Sequence, residues 1–380
     1  MSITEKDTKA MDAECADTAP DVTTARAERA SRPQRAPGPL APIVLGPKTR
    51  IDLPVILAPM SGVTDLPFRR LCRRLGAGLV VSEMIASWAM IRENRQTLKM
   101  AATDPDEAGS PQSVQLAGCD PAAMAEAAKL NEDRGAAIVD INFGCPVKKV
   151  TTGQSAGSAL MKDEVHAARI LEATVRAVSV PVTLKMRMGW DQSRLNAPNL
   201  ARIAEECGIR MVTVHGRTRQ MFYTGEADWA FVATVKAATR LPVIVNGDIV
   251  TPEDASEALA LSGADGVMIG RGAYGRPWIL AQVAHFLATG ERLSEPSLAQ
   301  QHATLSEHYD AMLTHHGENP GVRLARKHVA WYSKGLPGSA EFRSAVNRAD
   351  TRDEVAALIE GFYRPLIEAE ERGEPLRLAA

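Results

Sequence analysis

Eight short runs rich in Val and Ile recur from Val55 onward: VILAPM (55–60), LVVSEM (79–84), QSVQLAG (112–118), IVDINFGC (138–145), VTLKMRMG (182–189), MVTVHGR (211–217), PVIVNGDI (242–249) and GVMIGRG (266–272). Apolar runs of this length suit buried strands, and the stretches between them, with helical spacing and helix-end signals, are long enough for parallel crossovers. After the first run, Thr64 is placed to cap a helix whose Phe68, Leu71 and Leu75 share one face, with Gly76 as its stop. Eight strand–helix units over roughly 240 residues fit a closed (β/α)8 barrel better than an open doubly wound sheet. No internal sequence repeat accompanies them.

The flanks differ. Residues 1–42 contain no aromatic, carry several acidic residues before Asp21, and then space Arg26, Arg29, Arg32 and Arg35 ahead of Pro37, Pro39 and Pro42. Such a composition buries too little apolar surface to offset chain entropy, so a disordered tail is expected, the alternative being an arm whose arginines touch an anion. The barrel is assigned to residues 43–295, and 296–380, without strand-like runs, to an all-helical domain. That domain carries GVRLARKHVAWYSKGLPGSAEFR (321–343), in which Arg323, Arg326, Lys327, His328, Lys334 and Arg343 are interleaved with Trp331 and Tyr332.

Composition excludes several classes. With 45% hydrophobic and 24% charged residues the chain is a soluble globular type, and no apolar run nears the roughly 18 residues of a membrane span. The first thirty residues lack the apolar core of a signal peptide, so the cytoplasm is the default location. Five widely spaced cysteines with no Cys-x-x-Cys pair argue against a disulfide framework and against a metal site. A net charge of -2 means that any nucleic-acid partner must be held by a local basic patch.

Alternate strand residues point into a barrel, whose interior is normally apolar. Here Asp140 and Asn142 share one parity, as do Thr183, Lys185 and Arg187, and Thr213, His215 and Arg217; Gln115, Asn246 and Asp248 complete the set. One such residue is readily a hydrogen-bonded core or rim group. Five consecutive strands with polar interior positions point to a ligand site at the C-terminal ends, where that cost is accepted.

The last two units offer anion-binding chemistry. NGD (246–248) and IGRGAYGRP (269–277) place glycines just past the strands, where backbone N–H groups approach a phosphate and Arg271 adds charge. Gly270, Gly272 and Gly275 formally spell the dinucleotide fingerprint, but on the last strand, with no following strand to bear the acidic ribose ligand. Lys185 and His215 are placed to neutralise such a phosphate or to face a redox ring, the alternative being a rim salt bridge. Cys145 follows Gly144 and precedes Pro146, which should end the strand and leave the thiol at the pocket mouth with Lys148 and Lys149 nearby to shape its pKa. A lone Cys is otherwise a small buried hydrophobe, the reading given to Cys72, Cys119 and Cys207.

Nine segments in order, APMSGVTDLPFR (58–69), SEM (82–84), QLAG (115–118), DINFGCPVKKV (140–150), KMRMGW (185–190), HGRTRQMFYTGEADW (215–229), NGDI (246–249), IGRGAYGRPW (269–278) and ARKHVAWYSKGLPG (325–338), resemble motifs of the tRNA-dihydrouridine synthases, most of all their bacterial B-type branch. The resemblance covers residues 43–370, with Phe143 standing where Met is common. It implies an FMN barrel with a C-terminal helical domain, reducing a uridine in the D-loop of tRNA with NADPH. Hydride would pass from FMN N5 to C6 and a proton from Cys145 to C5. The same resemblance puts Pro59, Met60, Ser61 and Gln115 against the flavin ring and Lys185 near its N1/O2 edge. His215, Asn246, Gly247, Asp248, Gly270 and Arg271 would hold the ribityl phosphate end, and Asn142, Arg187 and Tyr223 the target uridine. Arg323, Arg326, Lys327, Lys334 and Arg343 would grip the tRNA by phosphate contacts. A monomer is expected. The rival readings are a flavin barrel acting on a free small molecule, such as a dihydroorotate dehydrogenase, which would not need the basic helical domain, and a non-catalytic RNA-binding regulator.

Overall fold

The computed structural model describes residues 33–104, 111–153 and 155–375. It opens with an antiparallel hairpin that the sequence reading did not anticipate, β1 (Ile43–Gly46) and β2 (Thr49–Ile51). The eight predicted runs follow as β3 (Val55–Leu57), β4 (Leu79–Ala86), β5 (Gln112–Ala117), β6 (Ile138–Phe143), β7 (Val182–Arg187), β8 (Val212–His215), β9 (Val243–Asn246) and β10 (Gly266–Ile269). Each pairs in parallel with its neighbour, and β10 returns to β3 to close the barrel.

Several crossover helices begin where a short polar side chain takes up a free backbone N–H group. Asp65 accepts from Phe68 N at 3.0 Å and Asp120 from Ala123 N at 2.7 Å, with Pro67 and Pro121 in the first turns; Asp228 accepts from Phe231 N at 2.8 Å. The expected cap at Thr64 is therefore displaced by one residue to Asp65. Thr64 instead ties the turn after β3, its hydroxyl accepting from Met60 N and donating to Met60 O.

Inside the barrel the two ends differ. Ile56, Leu79, Ile138, Met211, Ile244 and Met268 form an apolar layer toward the strands' N-terminal ends, and Ile43, Leu45 and Ile51 of the hairpin pack into the same cluster. The hairpin thus completes the core. Moving along the same inward parity toward the C-terminal ends, the side chains become Asp140, Asn142, Lys185, Arg187, His215 and Asn246.

Of the expected tail, residues 1–32, with Arg26, Arg29 and Arg32, lie outside the described residues. Its last stretch is not a bare linker. Leu40 is buried, Gly38 N donates to Leu287 O at 2.9 Å, and Arg35 donates from its backbone to Ser256 Oγ and from its guanidinium to Gly38 O. Arg35 therefore serves to pin the chain to the helices around the barrel.

The helical unit comprises residues 273–277 and those from Leu293 on. The segment 273–277 belongs with it because Tyr274 stacks on Trp331 with centroids 3.9 Å apart, and a Cβ on Gly275 would lie 2.3 Å from Trp331 O. Gly275, the third glycine of the apparent fingerprint, is there for close backbone packing. Helices Leu298–His316, Glu318–Tyr332, Ser339–Arg348 and Arg352–Glu371 pack around Leu305, Tyr309, Met312, Val329, Tyr332, Ile359 and Tyr363. Ser297 with Gln300 and Thr351 with Glu354 form reciprocal caps at two of their starts. Among the described residues no helix is long and apolar enough to cross a membrane, and no three His, Cys, Asp or Glu side chains group to hold a metal ion.

Candidate active site

Register places Gln115 beside Asp140 and Asp140 beside Thr183, all on inward positions. Their side chains join. Thr183 Oγ1 donates to Asp140 Oδ1 at 2.6 Å, Gln115 Nε2 donates to Asp140 Oδ2 at 2.6 Å, and Asn142 Nδ2 donates to Gln115 Oε1 at 2.7 Å. Burial pushes the Asp140 carboxyl above its ordinary range, while the two hydrogen bonds and the Lys185 charge pull it back.

Asn142 Oδ1 accepts from the backbone N–H groups of Gly144 (2.9 Å) and Cys145 (2.8 Å). The same peptides are held from other directions: Arg187 Nε donates to Gly144 O at 2.8 Å, and Ser158 donates to Cys145 O from both N (3.1 Å) and Oγ (2.8 Å). Cys145 is a partly exposed thiol outside any disulfide, just past β6, which ends at Phe143, before Pro146. Gly157, in a left-handed conformation, leaves it space, since a Cβ there would lie 2.9 Å from Cys145 O. Lys185 and Arg187 are cations whose fields reach the thiol. Lys148 and Lys149, expected in that role, lie exposed on the short helix Lys148–Thr151.

Beyond the cysteine the mouth is rich in cations. Lys185 Nζ donates to Asn246 Oδ1 at 3.1 Å, whose amide in turn donates to Met268 O. Burial first, then the Arg187 charge, pushes Lys185 down to about 8, against the pull of Asp140 and Cys145. Arg187 is buried and brought down to about 10 by desolvation; besides Gly144 O it donates to Thr218 O and Phe222 O. These bonds make it a staple between the loops after β6 and β8. Arg217, buried, grips both oxygens of Asp248 and donates from Nη1 to His215 Nε2 at 3.3 Å. A guanidinium cannot accept, so His215 Nε2 bears the lone pair and the proton sits on Nδ1. Desolvation, then the charges of Arg187, Lys185, Arg217 and Arg271, hold His215 well below its ordinary pKa. Tyr223 stands between Arg187 and Arg271, with their guanidinium carbons 5.5 and 5.3 Å from its ring centre.

The Asp248 carboxylate is occupied by Arg217, Arg271 and Ala227 N, so it orients cations and contributes to an anion site only through them. Gly247 has φ +116°, and a Cβ there would come within 2.7 Å of His215 Cδ2; it is the close support of that ring. A Cβ on Gly270 would meet Met60 and Ala58 only at ordinary contact distance. Pro59 and Met60 are partly buried and Ser61 exposed in the turn after β3.

In the helical unit Arg323, Lys334 and Arg343 are exposed, and Lys327 is partly buried. Arg326 donates to Ala349 O at 2.6 Å and Asp350 Oδ1 at 2.8 Å. Trp331 and Tyr332 are spent on packing, Trp331 against Tyr274 and Tyr332 in the core.

Three groups at the site had no role assigned from sequence. Asp140 and Arg217 share the inward parity and were visible as polar interior positions; what they bind was not. Ser158 lies on the 3-10 turn Gly157–Lys162, outside any strand, and no sequence signal marks it.

The model of the family described as "Dihydrouridine synthase (Dus)" matches residues 56–366. A "Probable tRNA-dihydrouridine synthase" of Rickettsia conorii is 60% identical over 314 residues, 83% of this chain and 94% of that relative. A "tRNA-dihydrouridine synthase B" of Xanthomonas axonopodis pv. citri is 53% identical over 330 residues, 86% of this chain and 96% of its own length. That of Pseudomonas aeruginosa is 49% identical over 320 residues, with 84% and 95% covered. A solved 6-hydroxypseudooxynicotine amine oxidase of Pseudomonas geniculata shares the fold, with TM-score 0.52 and 14% identity over 70% of this chain and 52% of that one. With the family model spanning most of the barrel and helical segments, and with relatives above half identity, the chain belongs to the dihydrouridine synthase family.

Proposed function

We propose that this protein reduces a D-loop uridine of tRNA to 5,6-dihydrouridine, using FMN as cofactor and NADPH as reductant. The observation that carries this reading is the union, in one barrel mouth, of a cysteine on a fixed peptide with four cations around a neutral histidine. The relatives' names supply tRNA as the substrate class.

The residues fit FMN. Lys185, Arg187, Arg217 and Arg271 exceed the nearby carboxylates, Asp248, which pairs with Arg217 and Arg271, and Asp140, whose field reaches Lys185, so the mouth favours an anion. His215, neutral with its proton on Nδ1, offers a donor, and Gly270 with Met60 and Pro59 leaves an apolar edge for a flat ring. Lys185 would lie at the ring's N1/O2 edge, Gln115 against the ring, and Arg271 with the backbone of Asn246–Asp248 at the phosphate.

FMN, when bound, supplies the hydride that uracil receives at C6. Cys145 supplies the proton at C5: its sulfur–hydrogen bond breaks as the carbon–hydrogen bond forms, and the thiolate left behind is stabilised by Lys185 and Arg187. Asn142, beside the peptide of Cys145, and Tyr223, beside Arg187, would orient the base. The base must first leave its stack, because a cysteine inside a barrel mouth does not reach into folded RNA. Arg323, Lys334 and Arg343 would hold phosphates, with Lys327 at the edge of the patch, while Arg326 braces the helices through Asp350.

Mass spectrometry of tRNA from a deletion strain, read position by position, tests this reading. Loss of dihydrouridine at one D-loop position, restored by the purified protein with FMN and NADPH, is the expected result; unchanged tRNA overturns it. In vitro, tRNA affinity should fall steeply with salt, and Arg323→Glu with Arg343→Glu should flatten the slope by roughly 0.7–0.9 per lost phosphate contact while NADPH oxidation persists.

A further inference from the structure

The proton-delivering role of Cys145 leaves unexplained why an acid should be buried two positions below Asn142, in a barrel interior where carboxylates are costly. Asp140 is 4% exposed, and its two hydrogen bonds go to side chains, Thr183 and Gln115. The row it begins runs through Gln115 and Asn142 to the peptide of Cys145.

A primary amide has one accepting end and one donating end, so two amides in series have only two polarities. A carboxylate at the root accepts. Gln115 then presents Nε2 to Asp140 and is left with Oε1 for Asn142; Asn142 presents Nδ2 and is left with Oδ1 for Gly144 N and Cys145 N. The far end demands the same polarity, since two backbone N–H groups need an acceptor. Turning either amide would set two donors face to face inside the barrel, at about 1–3 kcal/mol for each group left unpaired.

We infer that Asp140 is a positioning residue for the cysteine: by fixing the polarity of the Gln115–Asn142 row it sets the peptide that carries Cys145. The inference deepens the proposed function, because it rests on Cys145 as the proton donor. Ser158 and Arg187 hold that peptide's carbonyls, and the row rooted at Asp140 holds its N–H groups.

Asp140→Leu keeps the volume and removes the acceptor. Single-turnover dihydrouridine formation should fall by about 10- to 100-fold, the cost of a reacting group displaced by a fraction of an ångström to an ångström. NADPH oxidation without tRNA should fall by much less than dihydrouridine formation; Asp140 also faces Lys185 and holds Gln115, so the effect on the thiol is read as the loss of dihydrouridine formation beyond any change in flavin reduction. Alkylation of Cys145 by iodoacetamide, followed by peptide mass spectrometry with Cys119 and Cys207 as references, should accelerate relative to both. Asp140→Asn should restore most of the rate, because its carbonyl still accepts from Gln115 while the Thr183 hydroxyl turns to accept from its amide. Should Asp140→Leu not retain flavin, Asp140→Ser, too short to reach Gln115, takes its place with the same expected signature.

Unchanged turnover and alkylation in the Leu or Ser variant overturn the inference. So does an Asn variant as impaired as Leu, which would assign the effect to charge, or a parallel loss of NADPH oxidation, which would assign it to the flavin site. The alkylation readout needs no activity: if Cys145→Ala proved fully active, the acid role would fail while the positioning of Cys145 would still be decided by it.

Discussion

The barrel interior holds two regions built from the same strands and the same inward parity. At Ile138 the inward position of β6 is aliphatic and packed against Ile56, Met211 and Ile244; at Asp140 and Asn142, one and two steps along that parity, it is a hydrogen-bonded polar row. Along β8 and β9 the change runs from Met211, just before β8, and Ile244 to His215 and Asn246. The lower layer, sealed by the β1–β2 hairpin, stabilises by burial and can vary in detail as long as volume is kept. In the upper layer Asp140, Gln115, Asn142, Lys185 and Arg187 each hold particular hydrogen-bond partners, so substitution there should alter chemistry before it alters folding. That division of labour is what each of the following measurements can break.

The largest effect is expected at Cys145. Cys145→Ala should retain FMN and oxidise NADPH without tRNA, while dihydrouridine formation falls roughly 10²- to 10⁴-fold, the usual contribution of a positioned acid. Cys145→Ser should recover little, a serine hydroxyl being far less acidic than a thiol. Loss of flavin from Cys145→Ala would show that the upper layer is structural too, and a wild-type rate would move the acid elsewhere.

The converse belongs to the lower layer. Ile138 is fully buried in the apolar cluster, and Ile138→Ala should cost about 2–5 kcal/mol of stability by leaving a cavity. At temperatures where the variant is folded its turnover and flavin affinity should match the parent. A fall in turnover at full occupancy of the folded state would mean that the two layers are mechanically coupled.

The layer boundary explains what was legible in the sequence. Val/Ile runs and caps mark strands and helices because periodicity is local, and all eight barrel strands were placed by it. Inward parity likewise exposed Gln115, Asn142, Lys185, His215 and Asn246 as one polar surface. The hairpin escaped because two short strands around GPK resemble a loop until the barrel floor they cover is known. Arg187 and Arg326 show the other limit. Sequence shows a cation at a useful place, but only the fold reveals the bonds each makes within the protein, the first to Gly144 O, Thr218 O and Phe222 O and the second to Ala349 O and Asp350. Arg217 on Asp248, a pair separated by 31 positions, is likewise a fact of closure.

The smallest effect, and the sharpest on the upper layer, is a titration. Lys185 is held near 8 by burial and by the charge of Arg187, down from an ordinary 10.5. An anionic flavin edge takes the ammonium form, so FMN affinity should be flat below about pH 7 and weaken by up to about tenfold per unit above pH 8, as the free protein loses that proton. His215, pushed well below its ordinary pKa, adds no slope in this range. Stability of the flavin-free protein should move in the opposite direction. Between about 8 and 10.5 the unfolded chain holds the Lys185 proton and the folded chain does not, so this group's contribution to stability rises with pH. Lys185→Met should bind FMN more weakly at pH 7 and lose both dependences together. Isothermal titration and chemical denaturation across pH 7–10 measure the pair. A Lys185→Met protein that keeps either slope would assign the titration to another group and remove Lys185 from the ligand edge.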